Sequence, residues 1–291
     1  MEPIILKNHC LTVTLDPVGA VLSSILRDNL EYLWQGDAAS WPRRDANLFP
    51  CVGRSYDGQY RLGSQVYPMG IHGFCQDACF TVTRQGSAFV RFTLTDSPQT
   101  RQCYPFTFAF HVEYTLKENT IIKTCRVENR GSQPMHFGLG SHPGFRVPLD
   151  GGDFTHWYLN FSGPCQPRRV CFDPSNWLLA PQRPEYPLVD DQFLPLRHGL
   201  FDQDAIVLEG TNGSVTLQSD HSPHSIRIDY PQMPYVGFWH TPQTEAPFVC
   251  VEPWLTLPAP HDHMADWQTL EGLVHLPAGE VYENAITITM E

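Results

Sequence analysis

Phe106-Thr-Phe-Ala-Phe-His-Val-Glu-Tyr-Thr-Leu116 alternates apolar with polar or small side chains at a period of two. A β-strand sends successive side chains to opposite faces, so Phe106, Phe108, Phe110, Val112, Tyr114 and Leu116 share a face that should be buried. Lys117-Glu118-Asn119 then reads as a hairpin connection, and Ile121, Lys123, Cys125 and Val127 carry the pattern into a second strand. The pair predicts an antiparallel sheet with one face in a core.

Working outward, the same alternation recurs at Leu11/Val13/Leu15, Val90/Phe92/Leu94, Val215/Leu217, Ile226/Ile228/Tyr230 and Ile286/Ile288/Met290. Turn-forming clusters such as Glu209-Gly-Thr-Asn-Gly-Ser214 and Arg130-Gly-Ser-Gln-Pro134 separate these runs. Only the short stretch Asp262–Leu270 has helical spacing. The fold class predicted is all-β, a large antiparallel β-sandwich. Pro143 to Leu200 is rich in proline, yet the strands on either side share one style. It therefore reads as long surface connections inside a single domain covering 1–291, the kind of segment that carries sites.

Composition supports a sheet protein. Charged residues make up 17% of the chain, aromatics 12%, and there are 26 prolines in 291 residues. Such a mixture suits short strands with many connections better than helices with Glu- and Lys-rich surfaces. The net charge of −12 argues against nucleic acid or an anionic membrane as partner, since both need a basic footprint. No basic segment followed by an apolar run marks a leader, and no apolar run of about 18 residues marks a membrane span. Nine scattered cysteines, an odd number, read as reduced thiols, and the expected location is cytoplasmic.

Familiar catalytic signatures fail. Gly138-Leu-Gly-Ser-His-Pro-Gly144 satisfies neither G-x-S-x-G nor G-x-G-x-x-G, and no phosphate-binding G-x-x-x-x-G-K-[ST] occurs. His261-Asp262-His263 and the pair His221/His224 lack zinc spacing, so no metal is expected. What remains is a dispersed polar set in Gly/Pro-rich surroundings: Arg54 in Leu48-Phe-Pro-Cys-Val-Gly-Arg54, His72 in Met69-Gly-Ile-His-Gly-Phe74, His142 in Gly140-Ser-His-Pro-Gly-Phe-Arg146, and Glu252 in Phe248-Val-Cys-Val-Glu-Pro-Trp254. A carboxylate at the end of an apolar strand costs desolvation unless it is hydrogen-bonded or its pKa rises. Taken singly, each of these residues also suits an ordinary structural role as a hydrogen-bonded polar group.

Taken together, LFPCVGR (48–54), IHGF (71–74), GSHPGFR (140–146), FDQDAIVLEG (201–210), VCVEPW (249–254) and LPAGE (276–280) resemble, in order, the aldose 1-epimerase (mutarotase) family and its LacX-like branch. The resemblance implies a galactose mutarotase-like supersandwich with a sugar cleft, and cofactor-free interconversion of α and β anomers of a free hexose. It further implies Glu252 as general base, His142 as general acid and His72 as a second histidine beside the substrate. Arg54 and Asp204 would be substrate contacts, with Asp202 a competitor for the role of Asp204. Trp254 is a further candidate contact, either stacked on the pyranose or packed in the core.

Where the family often reads H-G-F-A-R, this chain reads His72-Gly-Phe-Cys75-Gln76. A neutral amide there removes a guanidinium that could pair with an anionic substituent. The expected partner is a small-molecule sugar, and a monomer or a homodimer is expected. Two other readings stay open at this point: a sugar-binding sandwich without catalysis, and an epimerase for phosphorylated or otherwise modified hexoses. A hydrolase would call for two carboxylates flanking the scissile bond, where this set offers one carboxylate with histidines.

Overall fold

The computed structural model describes residues 2–291. The opening stretch forms the strand Phe108–Lys117 and pairs with Thr120–Asn129 across a two-residue turn, Lys117 facing Thr120. This hairpin lies inside a nine-stranded antiparallel sheet, flanked by Phe89–Thr95 and Val281–Met290. A seven-stranded sheet runs Arg168–Val170, Ile206–Glu209, Tyr235–Trp239, Phe248–Trp254, Gly140–Ser141, Asn47–Leu48, with Gly144–Arg146 also pairing Phe248–Trp254. Phe110, Val112, Ile121 and Val127 of the first sheet share one apolar cluster with Leu208, Val236, Val249 and Val251 of the second. The all-β antiparallel sandwich is therefore the observed architecture.

Three details depart from the sequence reading. On the face of Phe108–Lys117 expected to be polar and open, Ala109 and His111 are buried. The strand is central, and His111 is covered by neighbours: its Nδ1 lies 2.8 Å from Thr93 Oγ1 and its Nε2 3.3 Å from Glu128. Asp262–Leu270 is not a helix. The Arg61 N–H donates to the Ala265 carbonyl and the Trp267 N–H to the Arg61 carbonyl, Asp266 caps a tight turn, and Trp267 stacks on Tyr60 with ring centroids 3.7 Å apart. Finally, the proline-rich stretch is more than surface connection. It supplies Gly144–Arg146 and Arg168–Val170 to the seven-stranded sheet and Trp157–Phe161 and Phe193–Pro195 to the nine-stranded one.

All nine cysteines are unpaired. Among the described residues no helix is long and apolar enough to cross a membrane.

Candidate active site

The strand Phe248–Trp254 lies between neighbours on both sides and is buried along its whole length. Val249 and Val251 point into the main core, so Phe248, Cys250, Glu252 and Trp254 face the other side of the sheet. Gly140 pairs with Trp254 and Gly144 with Cys250, which places His142 directly opposite Glu252. Residues opposed in this way share a face and come within contact range. His142 Nε2 accordingly lies 3.3 Å from Glu252 Oε2. On the other flank Glu252 is opposed by Gly237, which has no side chain to crowd it. A side chain at Gly144 would meet the Trp41 ring at 2.9 Å, and Trp41 stacks on the His142 imidazole at 5.0 Å.

These groups open onto a cleft of about 720 Å³. Every site residue expected from the sequence lines it: Arg54, His72, Gln76, His142, Asp204, Glu252 and Trp254, with Asp202 beside them. His72 belongs to a tight turn and has φ of 61°. Its N–H donates to the Gly53 carbonyl, and the Gly53 N–H donates to its Nδ1 at 3.1 Å. The neutral ring therefore carries its proton on Nε2. Gly73 lets that turn close, because a side chain there would sit 2.2 Å from the Phe49 carbonyl oxygen. Trp254 lines the cleft and also packs with Leu48, Val52 and Val207.

Burial governs the proton chemistry. It pushes the Glu252 carboxyl well above the usual carboxylate range, with the negative charge of Asp204 adding to the effect and the Trp254 indole N–H opposing it. Burial pushes His142 down to about 3, with His72 contributing. His72 falls to about 4, from burial first and then from Arg54 and Arg43. The result is a desolvated pair in which both neutral forms are favoured, and for Glu252 it is the raised pKa that the sequence offered as one outcome for a carboxylate at the end of an apolar strand.

Gln76 is tied down by donating from Nε2 to the Ile71 carbonyl at 3.1 Å. The positive charge missing at that position enters from a segment the motifs did not mark. Arg43 lines the same cleft, donates to the Gln76 carbonyl and pairs with Asp77 at 2.6 Å. Trp41, Trp177, Trp239 and Gln243 were also missed. Trp177 and Gln243 share with His72 and Asp204 a left-handed backbone that non-glycine residues rarely adopt, and such strain concentrates at functional sites.

His142, Cys250 and Glu252 could together hold a metal ion, their donor atoms lying within 4.8 Å of one another. Burial raises the Cys250 thiol well above the ordinary thiol range, so ligation there would first have to displace protons from Cys250 and Glu252.

The sequence model of a family described as aldose 1-epimerase matches residues 3–260. The chain belongs to the aldose 1-epimerase family. The matched span of this aldose 1-epimerase family member contains all seven expected site residues. A protein named LacX, chromosomal, from Lactococcus lactis subsp. lactis is 32% identical over 258 residues, 86% of each chain. Among solved structures, a galactose mutarotase related enzyme from Lactobacillus acidophilus superposes with a TM-score of 0.94 at 28% identity, over all of this chain and 97% of that one. A galactose mutarotase-like protein from Lactobacillus casei ATCC 334 gives 0.93 at 32% identity, with both chains fully covered.

Proposed function

We propose that the protein is an aldose 1-epimerase acting on a free hexose, with Glu252 and His142 as its proton-transferring pair. The observation that carries this reading is their buried cross-strand contact at 3.3 Å on the floor of the cleft.

Ring opening starts from the charged tautomer of the one-proton pair, Glu252 carboxylate with His142 imidazolium, which burial makes the minor form beside the neutral pair. Glu252 takes the proton of the anomeric O1 hydroxyl, His142 gives its proton to the ring oxygen O5, and the C1–O5 bond breaks to leave an aldehyde. The pair is now neutral on both members, the arrangement that burial favours. After rotation about C1–C2, His142 removes the O5 proton as O5 attacks the other carbonyl face, and Glu252 returns a proton to O1. One proton stays on the pair throughout. Two positioned groups of this kind each contribute on the order of 10²- to 10⁴-fold. His72, donating from Nε2, and Arg54 support negative charge developing on sugar oxygens. Asp204 accepts from ring hydroxyls, while Gln76 and Trp254 bound the sugar.

NMR exchange or polarimetry on fresh α-D-glucose and α-D-galactose tests the assignment. Glu252→Gln and His142→Asn should each lower the rate at least about 100-fold; activity within a few-fold of wild type overturns it.

Arg43 favours a second reading, a hexose bearing an anionic substituent, because it returns a guanidinium to the Gln76 side of the cleft. If that reading holds, a hexose phosphate outcompetes the free hexose and Arg43→Gln abolishes the preference. Equal turnover of both sugars by wild type and variant removes it.

A further inference from the structure

A buried charge cluster lies directly behind the Glu252–His142 pair. Lys123 occupies an apolar-face position in the strand Thr120–Asn129 of the nine-stranded sheet, and its side chain is 1% exposed. Its ammonium reaches across the core to the seven-stranded sheet. There it donates to Ser141 Oγ at 2.7 Å and lies 3.7 Å from Asp45 Oδ2, on a side chain with no exposure at all. The same Asp45 oxygen accepts the Leu22 N–H at 3.1 Å.

Withdrawing two such charges from water is costly, and an apolar replacement of similar volume is often no less stable. Stability alone therefore gives a weak reason for this cluster, whereas its position gives a stronger one. Ser141 immediately precedes His142, and strand alternation turns Ser141 to the core and His142 to the cleft. The His142 N–H donates to the Ala46 carbonyl at 3.0 Å, and Ala46 immediately follows Asp45. Both backbone segments that hold His142 are thus fastened, one residue upstream, to a single ammonium. That ammonium comes from the opposite sheet, so it also sets the depth of the cleft floor against the core.

We infer that Lys123 is a positioning residue for His142, holding the Ser141 and Asp45 segments so that the imidazole stays opposite Glu252. The inference rests on the proposed role of His142 in proton transfer. Lys123 does not line the cleft, so its effect belongs in the chemical step rather than in binding.

Ser141→Ala is the cleanest test, since it cuts one link and leaves the buried ion pair in place. The expected result is a kcat lowered roughly 10-fold, inside the hundredfold that a misplacement of about 1 Å can cost, with KM within about two-fold. The His142 ring resonances in a ¹H–¹³C spectrum should broaden or shift while the thermal midpoint moves by only a few degrees. Lys123→Met combined with Asp45→Asn removes the whole cluster without stranding a charge, and provides the same test should Ser141→Ala fail to fold. Adding Ser141→Ala to that double variant should lower kcat no further, because the link is already gone. Wild-type kcat and unchanged His142 resonances in Ser141→Ala overturn the inference, as does full additivity in the combined variant. Glu252→Gln and His142→Asn run in the same assay separate the two levels. If both are inactive while Ser141→Ala matches wild type, only the positioning role fails; if His142→Asn is active, the site reading itself fails.

Discussion

Glu252 and His142 illustrate how one desolvated contact sets both the reaction and its pH range. The pair gains a second proton only near the lowered His142 value of about 3, and gives up its last only near the raised Glu252 value. Ring opening needs the one-proton state, so kcat/KM should hold as pH falls through about 6.5, where a free histidine titrates, and decline on the alkaline side. An acid limb centred near 6.5 in the measured profile would contradict this. The same shifts predict stability. Because the folded-state pKa of Glu252 is raised, folding takes up a proton between the unfolded value of about 4.3 and the folded one, and the resulting penalty grows as pH rises through that window. Glu252→Gln removes the penalty, so its thermal midpoint should gain on wild type progressively as pH rises above the unfolded value of about 4.3, even as activity is lost. His72 and His142 act in the opposite sense. Their folded values lie below the unfolded one, so the unfolded chain binds more protons and the fold should weaken as pH drops from about 6.5 towards 4.

Strand periodicity made the hairpin Phe108–Asn129 legible, because alternation is a local property and needs only the pleat. It also placed Lys123 on the apolar face without saying why a lysine should be there, since its partners are Ser141 of the opposite sheet and Asp45 just ahead of that sheet's Asn47–Leu48 strand. The proline-rich stretch was misread in part for a similar reason: three-residue strands such as Arg168–Val170 are too short to show a period and are specified by the sheet they join. Within that stretch the turn Asp173–Trp177 is held by Asp173 accepting from the Ser175 N–H and hydroxyl, and it presents Trp177 to the cleft with φ of 58°. A bulky residue in that conformation costs roughly 1–3 kcal/mol, a cost that sugar contact would explain. Trp177→Gly should therefore leave the thermal midpoint unchanged or raise it, while increasing KM several-fold. A variant that loses stability and keeps its KM would show that the indole serves packing instead.

At the scale of the molecule, the cleft gathers side chains from Trp41 to Pro258, and only the closed sandwich brings those segments together. Family motifs made seven of them legible without any geometry. Arg43, Trp177 and Gln243 were not, because they sit outside the motifs on segments whose proximity to Glu252 depends on the whole topology. Binding should consequently act on global stability, since the unfolded chain has no cleft. A sugar at about 100 times its Kd stabilises the fold by about 2.7 kcal/mol, which for a chain of this size corresponds to a rise of roughly 5 °C in the thermal midpoint. Glu252→Gln should retain most of that rise with the preferred aldose, because it removes proton transfer and leaves the other sugar contacts in place. Arg54→Ala should lose much of it. A panel of free and phosphorylated hexoses read by thermal shift and by anomer exchange then separates binding from catalysis: a shift with no accelerated exchange in wild type would make the protein a sugar-binding sandwich, and no shift with any member of the panel would remove the sugar reading altogether.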